Sequence, residues 1–178
     1  DCAFQECGSL TSVTIPEGIT WIGKSLFYNC DSLTSITIPT SVEMICYSAF
    51  SSCDSLTSIV IPENMAIVEN WAFAECTSLS EITFLGDAPE IGEDVFLEVT
   101  ATAYYPANNP TWTADVMQNY GGEITWVPSC ASHIWDTGTV TTEPTEESTG
   151  VCTYTCTRCG ETKTETIPVL EHTHKHSA

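Results

Sequence analysis

The chain of 178 residues carries 24 Asp and Glu against only 4 Lys and Arg, a formal net charge of −20, together with 10 cysteines and 42% hydrophobic residues. That balance excludes nucleic acid as a partner, because phosphate binding draws its affinity from clustered Lys and Arg, and Lys24 is the only basic side chain before Arg158. No run of about 18 apolar residues occurs, so the sequence contains no membrane-spanning helix.

Residues 4 to 96 read as one unit written repeatedly. Cys7, Cys30, Cys53 and Cys76 fall 23 residues apart, as do Phe4, Phe27, Phe50 and Phe73, and Leu10, Leu33, Leu56 and Leu79. Asp1 opens in mid-repeat, which predicts a fragment of a longer chain with any signal or anchor outside it. In each copy Leu10, Val13 and Ile15, then Leu33, Ile36 and Ile38, then Leu56, Ile59 and Ile61 alternate with Thr and Ser, the period of a strand buried on one face. Pro16, Pro39 and Pro62 end those strands. A second apolar pair follows (Ile19 with Ile22, Val42 with Ile45, Met65 with Val68), and then the Phe that fills the middle of the rung. A period of about 20 to 29 residues opening on Leu-x-x-(Val/Ile)-x-Ile predicts a leucine-rich solenoid. The in-register cysteines are expected to be free, buried thiols, since Cys is among the most often buried side chains.

The string Ala49-Phe50-Ser51-Ser52-Cys53-Asp54-Ser55-Leu56-Thr57-Ser58-Ile59-Val60-Ile61-Pro62 resembles the BspA-like leucine-rich repeats. The resemblance covers residues 1 to about 101. It implies a protein exposed at the cell surface or secreted by a bacterium, engaged in adhesion or in binding host protein, and it does not imply catalysis. Cys46 and Glu69 stand where the pattern has Gly, and Phe84-Leu85-Gly86 stands where it has Ile-Pro.

Residues 102–128 have lost the repeat but stay apolar, as a cap over the last rung requires. Thr102 to Tyr105 and Glu123 to Val127 read as strands. Asn109 and Pro110 suit a helix start, Trp112, Val116 and Tyr120 fall on one helical face, and Gly121-Gly122 stops it, so a short helix is expected between the strands. The aromatic residues Trp112, Tyr120 and Trp126 suit either a cap or a carbohydrate groove.

From Ser129 the composition shifts to Thr, Glu, Cys and His, and all four histidines lie beyond that point. A Ser-His or Cys-His nucleophile inside the solenoid is thereby excluded. A module of residues 129–178 is too small to fold on apolar burial alone and calls for a staple. Cys156-Thr157-Arg158-Cys159-Gly160 is a CxxCG turn between two Thr-rich strand-like runs, a knuckle in which both thiolates face one ion. His133 before the hairpin and His172 after it complete a Cys2His2 set for zinc; a disulfide of the CxxC pair and reduced thiols are the competing readings. Redox chemistry of the thioredoxin kind is not expected, because the turn lies between strands rather than at a helix N-terminus. His172, His174 and His176 alternate, which suits a second metal or a solvated terminus. The segment from His133-Ile134-Trp135-Asp136 through the CxxCG turn to His172-Thr173-His174 resembles a small module repeated in surface proteins of gut Firmicutes. The pattern it resembles has no cysteine at the place of Cys152, which leaves Cys130 and Cys152 as a candidate disulfide.

The expected architecture is thus a β-rich solenoid at residues 1–101, with about four 23-residue rungs, its cap at 102–128, and a zinc-ribbon-like β-hairpin module at 129–178. The expected function is non-catalytic binding to a host or extracellular-matrix protein or glycan. The alternative is a spacer that holds another part of the parent protein away from the cell wall.

Overall fold

The computed structural model of the chain describes residues 1–130, 133–157 and 159–170. The chain divides into two units, Asp1–Ser129 and Cys130–Ala178.

The first unit is a parallel β-solenoid. Its strands in chain order are β1 (Ser12–Thr14), β2 (Trp21–Ile22), β3 (Ser35–Thr37), β4 (Met44–Ile45), β5 (Ser58–Ile61), β6 (Ile67–Val68), β7 (Glu81–Phe84), β8 (Glu90–Ile91), β9 (Thr100–Pro106) and β10 (Glu123–Ser129). β1 pairs with β3, and β5, β7, β9 and β10 pair in that order, all parallel. The two-residue strands β2, β4, β6 and β8 form a second parallel sheet at the apolar pairs that follow each proline. Val13 lies opposite Ile36 and Ile59 opposite Ile82, so the sequence period of 23 is the sheet register.

The interior is built of columns. Phe4, Phe27, Phe50, Phe73 and Phe96 stack with centroids 5.5, 5.4, 5.3 and 6.1 Å apart. All but Phe4 are buried, and each buried side chain of this size contributes about 1.5–3 kcal/mol. Flanking this column, the backbone turns twice per rung through the left-handed region. Cys2, Ser25, Ser48, Trp71 and Asp94 form one series with positive φ, and Glu6, Asn29, Ser52, Glu75 and Glu98 form the other.

The cap departs from expectation. Among the described residues there is no helix, and residues 107–122 run as turns, with Asn109, Trp112 and Val116 each bonded to the carbonyl three residues back. The solenoid ladder takes the groups that a helix would need. Tyr120 gives its carbonyl to the Phe96 N–H, just as Ala72 does for Phe50, while Asn109 and Trp112 donate side-chain N–H groups to the Gly86 carbonyl. The cap is therefore another rung. The two-residue turn that follows Cys30, Cys53 and Cys76 is missing after Val99, so β9 starts directly at Thr100 and crosses the expected boundary at 101/102.

The second unit is a three-stranded antiparallel sheet, β11 (Thr139–Thr142), β12 (Gly150–Thr155) and β13 (Thr162–Ile167), with a register shift between Val140 and Thr142. Among its described residues only Gly150 and Cys156 are buried. The apolar interior is as thin as the composition suggests, and the CxxCG turn joins β12 to β13.

Candidate functional site

The turn folds because its backbone closes on itself: the Gly160 N–H donates to the Cys156 carbonyl at 2.9 Å, and the Cys156 N–H donates to the Glu161 carbonyl at 2.7 Å. Gly160 sits at φ 78°, a conformation that a side chain would strain. Cys156 also bridges to Trp135, which brings the segment carrying His133 beside the turn.

Four donor atoms converge there. The Sγ of Cys130 lies 3.1 Å from the Sγ of Cys159, 3.6 Å from the Sγ of Cys156 and 3.3 Å from the Nδ1 of His133, and the Sγ of Cys159 lies 3.5 Å from the same nitrogen. All four atoms fall within 4.8 Å of one another. Ligands at zinc bond lengths and tetrahedral angles stand about 3.5–3.8 Å apart, so a Cys3His set closes on an ion with changes in donor spacing of up to about 1 Å. The other ring nitrogen of His133 faces Glu161 at 3.5 Å, and the ring stacks on Trp135 at 4.9 Å. A carboxylate behind a histidine orients the ring and raises its basicity toward a metal. Without a cation, the hydrogen bond to Cys159 and the loss of solvent push the Cys130 thiol up to about 12. A divalent ion at the centre reverses that preference and holds thiolates.

Cys156, Cys159 and His133 are thus brought together. His172 falls outside the described residues, as do His174 and His176, and among the described residues the fourth donor atom of the cluster is the Sγ of Cys130. Cys130 and Cys152 are not joined, and no disulfide is formed among the described residues. Cys152 sits on β12 four residues before Cys156, about 13 Å along a strand. A disulfide needs Cα atoms within about 7 Å, and Cys130 is held at the far end of that distance. Cys152 instead bonds Tyr154, raising that phenol's pKa, and lies against Gly138. A signal for Cys130 was present in the sequence: Cys130-x-x-His133 has the same spacing as Cys156-x-x-Cys159.

In the solenoid, Cys30, Cys53 and Cys76 are buried, and each thiol donates to the carbonyl of the Phe 26 residues earlier, Phe4, Phe27 and Phe50, at 3.1, 3.2 and 3.1 Å. Trp112 and Trp126 cover Phe84 at 4.8 and 5.7 Å, and their indole N–H groups are taken by Gly86 and Gln118. These aromatic residues close the stack. The outward strand face carries short side chains in register, Ser12 beside Ser35 and Thr14 beside Thr37, all exposed. No helix among the described residues is long and apolar enough to cross a membrane.

Two solved structures are similar to this chain. A leucine-rich repeat protein from Bacteroides ovatus ATCC 8483 matches with 28% identity and a TM-score of 0.53, over 70% of this chain and 32% of that one. A leucine-rich repeat protein of T. pallidum matches with 26% identity and a TM-score of 0.56, over 72% of this chain and 62% of that one. The chain therefore spans less than two thirds of either. No curated protein matches. The model of the BspA type leucine rich repeat region matches residues 1–110 in six copies. With the 23-residue register, the Phe column and the Cys column on the same residues, the chain belongs to the BspA-type leucine-rich repeat family.

Proposed function

We propose that this protein is an extracellular binding protein, displayed on or released from a bacterial cell, whose solenoid engages a host or matrix protein or glycan without catalysis. The observation that carries the reading is the outward strand face, where exposed side chains repeat at the rung spacing (Ser12 with Ser35, Thr14 with Thr37, Ser58 with Glu81). Such a face offers a partner a long shallow array rather than a pocket. Membership of the BspA-type family supports it, as does the absence of histidine from residues 1–129. In the second unit, Cys130, His133, Cys156 and Cys159 hold zinc as the staple that its small apolar interior requires.

The test presents the immobilised chain to mucosal secretions and to purified matrix proteins, then measures saturable retention. A spacer retains nothing above uncoated beads, and that outcome overturns the binding function. Zinc is measured separately by native mass spectrometry of protein purified without chelator, with one ion per chain expected.

A further inference from the structure

The turn side of the solenoid carries a groove of 310 Å³ that the outward strand face does not explain. It is lined by the aromatic residues Tyr28, Tyr47 and Trp71 and by Ser48, Ser51 and Glu75, together with Gln5 and Ser25. The hollow exists because two serines occupy the rung between Tyr28 on one side and Trp71 on the other. Ser48 and Ser51 are buried, whereas Tyr47 and Trp71 are 38% and 43% exposed. Trp71 is out of keeping with its column. The equivalent positions hold Cys2, Ser25, Ser48 and Asp94, small or polar residues that suit a left-handed turn, and Trp71 adopts φ 61° there. A bulky residue in that region strains the backbone, and an exposed one recovers no core packing in return.

We infer that this groove binds the cationic side chain of a partner protein, an arginine above all. Three aromatic residues beside a carboxylate form a site for a planar cation, which stacks on Trp and Tyr faces while pairing with Glu75. One of these rings already attracts a cation: the Lys24 ammonium, from outside the groove lining, lies 5.0 Å from the Tyr47 ring centroid. Tyr47 in turn meets Trp71 at 5.8 Å. Charge favours the same occupant, because Lys24 is the only lysine or arginine in residues 1–129 and the chain as a whole stands at −20. The inference rests on the reading of the solenoid as a binding array and names the chemistry of its partner.

The test titrates the full chain with a glycine-spaced arginine peptide, its citrulline counterpart, and a neutral oligosaccharide, all at physiological salt. The arginine peptide should bind, and Trp71→Ala and Tyr47→Ala should each weaken it by about threefold to tenfold. Glu75→Gln should weaken it as well, whereas Glu17→Gln, at a residue outside the groove, should not. Lys24→Ala removes the competing cation and should tighten binding. Trp71→Phe keeps an aromatic face, so retained binding there separates a groove effect from loss of fold, with melting temperature as the parallel reading. Equal binding by wild type, Trp71→Ala and Tyr47→Ala would show diffuse attraction to an acidic surface and overturn the inference. So would equal binding of the citrulline peptide, or a preference for the oligosaccharide. Retention of matrix protein that survives Trp71→Ala sinks the groove while leaving the binding function intact. If no matrix protein is retained, the broader reading fails, and the peptide titration still decides the groove.

Discussion

The thiol of Cys53 donates to the carbonyl oxygen of Phe27, one rung earlier, at 3.2 Å. A cysteine in this column therefore does two jobs: it fills space beside the Phe stack, and it satisfies a buried carbonyl that the strand ladder does not reach. Cys53→Ala should destabilise the chain by about 2–3 kcal/mol in urea unfolding, from a cavity and an unpaired acceptor together. Cys53→Ser keeps a donor and should cost less.

The same column makes stability fall in alkali. Burial pushes the Cys30 thiol from an ordinary value of 9.0 up to about 11, and burial together with the hydrogen bond to Cys76 raises Cys53 too. A raised thiol pKa means that the native state holds the proton more tightly than the unfolded chain does. The stabilisation is complete below about pH 9 and is lost as pH rises through 11. Thermal melts at pH 8 and pH 10.5 should show the midpoint dropping. Native protein at pH 8 should leave Cys30, Cys53 and Cys76 unalkylated, and fast labelling of all three would refute the buried column.

Phe50→Ala should cost about 3–5 kcal/mol, because the ring is fully buried and stacked on both sides, against Phe27 and Phe73. Phe4→Ala should cost far less, since that ring is 40% exposed and stacked on one side only. Phe96 meets Phe73 at 6.1 Å and Tyr120 at 6.4 Å, so its loss belongs with that of Phe50. Midpoints of urea unfolding for the three variants give the order.

Glu98→Gly should stabilise the solenoid by about 0.5–1 kcal/mol. Glu98 is exposed at φ 61°, where a side chain crowds the backbone and glycine does not. Glu98→Val, with a β-branched side chain at the same φ, should move the melting temperature the opposite way.

For the second unit, Cys130→Ser should abolish zinc binding as completely as Cys159→Ser, while Cys152→Ser should leave it unchanged. Glu161→Gln weakens the carboxylate behind His133 and should cost about tenfold to a hundredfold in zinc affinity, read by competition with a chromogenic chelator. Chelation should remove a low-temperature transition and spare the solenoid melt. A chain two mass units lighter per cysteine pair, with no ion, would mean a disulfide staple instead.

Much of the solenoid was legible in the sequence, because each rung meets only its neighbours and the spacing of Phe27, Phe50 and Phe73 already is the sheet register. The cap was legible as strands but not as turns. Trp112, Val116 and Tyr120 carry a helical spacing, yet Trp112 meets Gly86 and Phe84 and Tyr120 meets Phe96, all in the previous rung, and a local pattern cannot weigh such contacts. At the metal cluster, the knuckle Cys156-x-x-Cys159 was readable from local spacing alone. The donor Cys130 lies 26 residues from Cys156, and its approach to the turn is seen only once the fold brings the two thiols to 3.6 Å.

The constant offset of 23 residues between paired strands has a consequence for how such a chain changes over generations. Excising Leu33 to Ser55 would join Ser32 to Leu56, set Phe73 against Phe27, and place the Cys76 thiol at the Phe27 carbonyl. The Phe and Cys column contacts that are lost have replacements already in register. Array length is then a quantity that recombination can adjust in whole steps, shortening or lengthening the stack on the same Phe and Cys contacts.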